Sequence, residues 1–171
     1  MNFYKILNEK ENHNGYQYKT GLNIDSKPFQ PSGDCESGGI YYAREDILAF
    51  LNYGCYLRKV TIPADAKVYE NPGSPKKWKA DRIILEERVE ITPKVIQALI
   101  DEGADIHVDN DYAFRYASFN GHTEVVKVLL ANGADIHADN DYAFRNASRY
   151  GHTEVVKVLQ DHIKSNTKKE V

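Results

Sequence analysis

From residue 91 onwards the apolar positions fall at helical spacing, and then the same spacing returns. Ala113, Phe114 and Ala117 stand at i, i+1 and i+4, and Val125, Val126, Leu129 and Leu130 form a second apolar stripe among polar neighbours. Such stripes predict two amphipathic helices. Gly121 and Gly133 follow them, where left-handed helix ends favour glycine. Asn110 or Asp111 precedes the first stripe and Thr123 the second. Their short side-chain oxygens suit an N-cap.

The pattern is a tandem repeat. Asp109 to Leu129 reads DNDYAFRYASFNGHTEVVKVL and Asp139 to Leu159 reads DNDYAFRNASRYGHTEVVKVL, identical at 18 of 21 positions with an offset of 30. A partial earlier copy supplies Val95, Ile96 and Leu99, then Gly103 to His107, which matches Gly133 to His137. Thr92-Pro93 opens it, with proline at the first helical position, where its missing N–H costs nothing. There are thus two first helices and three second helices. Helix pairs of this kind bury their faces only by stacking. The last copy has Gln160 where Leu130 stood and lacks the stop glycine, as a polar terminal cap requires. The other end is incomplete, so the preceding residues are expected to cover it.

Residues 1–85 alternate differently and predict an α+β domain. Tyr4–Leu7, Tyr16–Tyr18, Ile40–Tyr42, Tyr56–Ile62, Val68–Tyr69 and Ile83–Leu85 are strand candidates. Tyr56, Val60 and Ile62 share one face. A helix is expected over Glu45 to Asn52, burying Ile47, Leu48 and Leu51 and stopping at Gly54. Pro63, Pro72-Gly73 and Pro75 mark turns.

Composition narrows the chemistry. A formal charge of −3 makes no broad basic field for nucleic acid or an anionic membrane. Lys76, Lys77 and Lys79 around Trp78 read as a solvated loop. No stretch approaches the roughly 20 apolar residues of a membrane span, and the N-terminus carries no signal-peptide pattern. Cys35 and Cys55 make neither a disulfide framework nor a zinc pair. His107 with His137, and His122 with His152, recur at repeat-equivalent positions. Equivalent atoms of stacked helices lie roughly 10 Å apart, too far to share a metal, so turn hydrogen bonding is expected and no metal or cofactor is. The glycine-rich loop Pro31 to Gly39 lacks the Gly-Lys-Ser/Thr ending of a phosphate loop. No nucleophile elbow or metalloprotease motif occurs.

Where the two copies differ they differ together, at Tyr116/Asn146, Phe119/Arg149 and Asn120/Tyr150. These offsets of i, i+3 and i+4 mark one helix face. A packed core would resist exchanging phenylalanine for arginine, so this face is expected at the surface. Aromatics and arginine are the usual interface anchors.

The strings GHTEVVKVLLANGADIHA and GHTEVVKVL resemble the ankyrin repeat. The period of 30 and the phrases DNDYAFR and GADIHADN are similar to the mimivirus-like ankyrin proteins of giant amoeba-infecting viruses, with their uncharacterised N-terminal domain. This resemblance implies an α+β domain over 1–85 and an all-α ankyrin-repeat solenoid over 86–171. The solenoid would comprise a half repeat at about 91–108, full repeats at 109–138 and 139–164, and a polar tail. A protein-interaction module in the host cytoplasm follows, monomeric and bound to a host or viral protein. Its contacts would be Tyr116, Phe119, Asn120, Asn146, Arg149 and Tyr150, with Asp109, Asp111, Asp139 and Asp141 on shortened fingers at the rim. The alternative is that residues 1–85 bind a small molecule or act as an enzyme that the repeats target. The order of the Tyr4 strand, Gly21-Leu22 and Gly-Ile-Tyr-Tyr faintly resembles the sheet of ADP-ribosyltransferases, though no catalytic triad maps onto named residues.

Overall fold

The computed structural model describes residues 1–32 and 37–167. The core of the glycine-rich loop, with Cys35, and the last four residues of the polar tail lie outside the described residues. Strands β1 (Phe3–Leu7), β6 (Tyr56–Thr61), β9 (Arg82–Leu85) and β4 (Gly21–Ile24) form an antiparallel sheet in that order. Strand β10 (Val89–Glu90) also pairs with β6. The sheet therefore runs past residue 85, where the domain boundary was expected. Strands β5 (Ile40–Tyr42), β8 (Lys77–Ala80) and β7 (Val68–Asn71) make a second sheet, and β2 (Asn12–His13) and β3 (Tyr16–Gln17) a short hairpin.

Alternation along β1 explains why the sheet is covered on both sides. Tyr4 and Ile6, with Leu57 opposite Ile6, pack into the core shared with the repeats. Leu7 and Val60 join a separate core with Ile40, Tyr42, Ile83 and Leu85. That second face also carries two cations side by side, because Lys5 pairs with Arg58 in the register. Both are buried. Like charges placed so repel unless each finds its own partner. Arg58 Nε and Nη2 donate to the Glu11 carboxylate at 2.6 and 2.9 Å, and Nη1 donates to Thr20 Oγ1 and to the Glu86 carbonyl. Lys5 Nζ donates to the Tyr41 carbonyl at 2.8 Å and lies over the Tyr18 ring.

The expected lysine loop is instead a strand. Lys77 and Lys79 in β8 are buried. Lys79 Nζ donates to the Ser32 carbonyl and faces the ring of Tyr41. Pattern alone hid this because an aliphatic stem packs like a hydrophobe while its ammonium reaches a carbonyl.

Helices α1 (Pro93–Asp101), α2 (Val108–Phe119), α3 (Thr123–Ala131), α4 (Ala138–Arg149) and α5 (Thr153–Thr167) follow. Thr92 caps α1, its Oγ1 accepting from the Val95 N–H at 3.3 Å. Thr123 makes no such cap on α3, and Asp111 turns away from its own helix. Asp109, Asn110 and Asp111 form a single left-handed turn with φ of 51°, 56° and 54°, repeated at Asp139, Asn140 and Asp141. Asparagine and aspartate tolerate this region far better than most residues. This turn accounts for the DND phrase.

Stacking completes the array from an unexpected source. Helix α2 packs between α4 and the segment Glu45–Tyr53, while α3 packs between α1 and α5. Glu45–Tyr53 is 3₁₀-helical rather than α-helical, with non-helical angles at Asp46 and Phe50. Its Ile47, Leu48 and Leu51 are buried in one continuous core with Ile96, Leu99, Ala113 and Phe114. It occupies the place of the missing first helix. The Asp105 N–H donates to the Glu45 carbonyl at 2.8 Å, and the Tyr4 hydroxyl donates to Glu102. In α5 Val155 and Leu159 are buried and Gln160 is exposed.

The twin stop glycines are not equivalent. Gly121 and Gly151 have φ of 73° and 74°, but a Cβ on Gly121 would stand 2.6 Å from the His152 ring, whereas Gly151 faces open space. The His152 Nε2–H donates to the Phe119 carbonyl at 2.8 Å and holds that ring in place. Gly151→Ala is therefore expected to cost only the left-handed penalty, about 1–2 kcal/mol. Gly121→Ala should cost at least about 1 kcal/mol more, for a lost hydrogen bond. Urea unfolding of the two variants checks this, and equal costs would remove the His152 contact from the account.

Candidate interaction face

The residues that differ between the two copies gather at the C-terminal ends of α2 and α4. Asn120, Arg149 and Tyr150 are exposed, and Tyr116, Phe119 and Asn146 are half-buried. Phe119 and Tyr150 meet edge-on with ring centroids 4.8 Å apart, and Arg149 lies 5.8 Å over the Tyr150 ring. Tyr150 is 51% exposed, a large apolar surface left to water. Asn120 and Asn146 are partly committed, since each Nδ2 donates to a carbonyl one turn back, of Tyr116 and Tyr142.

The aspartates divide. Asp111 is buried, and its Oδ1 accepts from the Asp135 N–H, in the turn after α3, at 2.9 Å. It ties the start of its repeat to the turn that ends it and is no rim contact. Asp109, Asp139 and Asp141 are exposed. Asp141 has the same local histidine contact as Asp111, to His137 Nδ1 at 2.6 Å, but Ser165 stands where Asp135 stood and lies within α5. His107 and His137 serve turns, His107 Nδ1 meeting Asp111 at 3.2 Å, whereas His152 reaches the Phe119 carbonyl 33 residues back. No cluster that could hold a metal occurs among the described residues.

Two features escaped the sequence. Arg115 lies over the rings of Tyr112 and Tyr142 and reaches Asp139 at 3.5 Å, tying the two left-handed turns together. Its only sequence signal is identity with Arg145 in the other copy. A groove of about 740 Å³ also opens beside Tyr116 and His122, walled on its far side by Asn8, Glu9 and Cys55. It exists only because the β-rich domain abuts the stack.

Fold and face together define a tandem helix-pair repeat protein whose first unit is completed by a β-rich domain. The family model described as ankyrin repeats (3 copies) matches residues 89–170. The chain belongs to the ankyrin-repeat proteins. It is 42% identical over 135 residues to the ankyrin repeat protein R229 of Acanthamoeba polyphaga mimivirus, covering 70% of this chain and 44% of that protein. With the mimivirus protein R869 it shares 34% identity over 128 residues, covering 72% of this chain and 93% of R869. Residues 89–170 are less than half of the chain, so these matches run into the β-rich domain as well. The chain spans under half the length of R229. No helix among the described residues is long and apolar enough to cross a membrane.

Proposed function

We propose that the chain holds a protein partner on the face formed by Tyr116, Phe119, Asn120, Asn146, Arg149 and Tyr150, with Asp109, Asp139 and Asp141 at its rim. Ankyrin repeats are in general protein-interaction modules, and the Phe119–Tyr150 ring pair beneath Arg149 carries the reading for this chain. Partly buried aromatics ringed by polar groups are the usual source of binding energy at interfaces. The partner is a host or viral protein met in the cytoplasm of an infected amoeba, and the chain acts there as a monomer. Two and a half repeats bury modest area, so affinity is expected to rest on these few anchors. Capture from infected cells with wild type and with Phe119→Ala/Tyr150→Ala tests the site. Loss of two anchors at about 2 kcal/mol each should abolish capture while circular dichroism stays unchanged. Undiminished capture by a folded double variant would sink the assignment.

A further inference from the structure

We infer that the groove between the β-rich domain and the repeats is a second docking site, which takes a short extended peptide segment carrying an arginine beside a bulky apolar residue. The groove shares only Tyr116 with the face of Phe119 and Tyr150, so the site does not rest on the function proposed for that face. Its origin is a missing turn. In the last repeat the His152 Nε2–H donates to the Phe119 carbonyl, and the ring fills the space against Gly121. His122 is the counterpart of His152 one repeat earlier. The unit before it has no such turn. There the chain leaves the stack at Gly54 for β6 and returns at Ile91, whose N–H donates to the Cys55 carbonyl at 2.8 Å. Among the described residues the exposed His122 ring meets that of Tyr116 at 6.4 Å and makes no hydrogen bond. About 740 Å³ is left open, within the roughly 300–1,000 Å³ of sites for drug-sized ligands, the size of about two or three residues.

The walls set the chemistry. Ile91, Pro93 and Val125 are half-buried, with the buried Leu51, Ile96 and Ala117 behind them. Such a lining favours an apolar side chain. Two exposed carboxylates stand on opposite walls, Glu9 from the turn after β1 and Glu124 from the first turn of α3. No lysine or arginine is among the described lining residues. Lys127 meets Glu124 at 2.6 Å, but exposed pairs of this kind contribute little and leave the carboxylate open to a second cation. Helix dipoles do not disturb this balance. Helices α1 and α3 begin at the groove while α2 and the 3₁₀ helix end there, so positive and negative ends offset. The charge that complements the groove is therefore positive. A guanidinium presents five donors in a planar fork, enough for two carboxylates at once, where an ammonium is a point charge. The His122 ring adds a polar group for the peptide backbone.

The test uses the full ¹⁵N-labelled chain titrated with the capped tripeptide acetyl-leucyl-arginyl-leucine amide and, separately, with its citrulline analogue, which keeps the shape and loses the charge. The arginine peptide should move the amide signals of Glu9, Cys55, His122, Thr123 and Glu124. Glu9→Gln, at an exposed turn position that leaves the fold intact, should weaken the arginine peptide about threefold, the order of one ion pair at a partly exposed site. The same variant should bind the citrulline peptide as wild type does. Citrulline forfeits both carboxylates and should bind wild type roughly tenfold more weakly than arginine. Equal affinities for the two peptides, an arginine peptide indifferent to Glu9→Gln, no movement at millimolar peptide, or movement confined to Phe119 and Tyr150 would each overturn the proposal.

Discussion

A chain beginning at Val89 is expected not to fold. Its circular dichroism should show little helix and no cooperative melt, although every ankyrin helix is still present. The reason is the seat of the 3₁₀ helix. Ile47, Leu48 and Leu51 close the core over Ile96, Ala113 and Phe114, and without them that face meets water. Each such side chain contributes about 1.5–3 kcal/mol by burial. Losing three, together with the partners they cover, removes an amount comparable to the whole stability of a small domain, about 5–15 kcal/mol. The Asp105 N–H also loses the Glu45 carbonyl, and Glu102 loses the Tyr4 hydroxyl. In the full chain Leu48→Ala is expected to cost about 2–5 kcal/mol and to lower one common transition of sheet and repeats. A helical, cooperatively melting 89–171 fragment would show that the repeats need no cover.

The second large effect belongs to Arg58. Arg58→Met is expected to destabilise the chain by about 3–5 kcal/mol, the usual cost of removing one member of a buried pair. The Glu11 carboxylate, the Thr20 hydroxyl and the Glu86 carbonyl all lose their donor together. Arg58→Lys should recover little, since an ammonium cannot present two parallel N–H groups to one carboxylate. Acid makes the same pair visible. Hydrogen bonding from Arg58 holds the Glu11 carboxyl below its ordinary value of 4.5, against the opposing effect of burial. The unfolded chain therefore takes up this proton at higher pH than the folded one. The pair's contribution is complete above about pH 4.5 and is lost as pH falls from there through the lower folded value. Urea unfolding at pH 7 and below pH 4 should show this loss in wild type and a flatter profile in Arg58→Met. Matching acid profiles would mean that Glu11 does not depend on Arg58.

The repeats were legible because helices report themselves locally. The stripe of Val125, Val126 and Leu129, the stop glycines and the Thr92-Pro93 start depend only on neighbours within a turn or two. The differing face was legible for a related reason: Tyr116, Phe119 and Asn120 could be set beside their counterparts in a second copy. The cap assigned to Asp111 failed because its carboxylate has two uses. Only the position of Asp135, brought back by the turn after α3, decides between them. The lysines of β8 misled because charge was read as exposure, and what buries Lys79 is a carbonyl 47 positions away in sequence.

The sequence alone thus determined the repeat, its period and the need for a cover over the incomplete first unit, all consequences of short-range periodicity. Only the tertiary structure decided what that cover is. Glu45–Tyr53 has a weak and irregular helical pattern of its own, and becomes the missing first helix because the sheet carries Ile47 and Leu48 to the exposed face of α2. The groove beside Tyr116 and His122 arose the same way, from a sheet domain and helices brought together across tens of residues. Contacts at such separation are chosen by the whole packing, and no local pattern announces them.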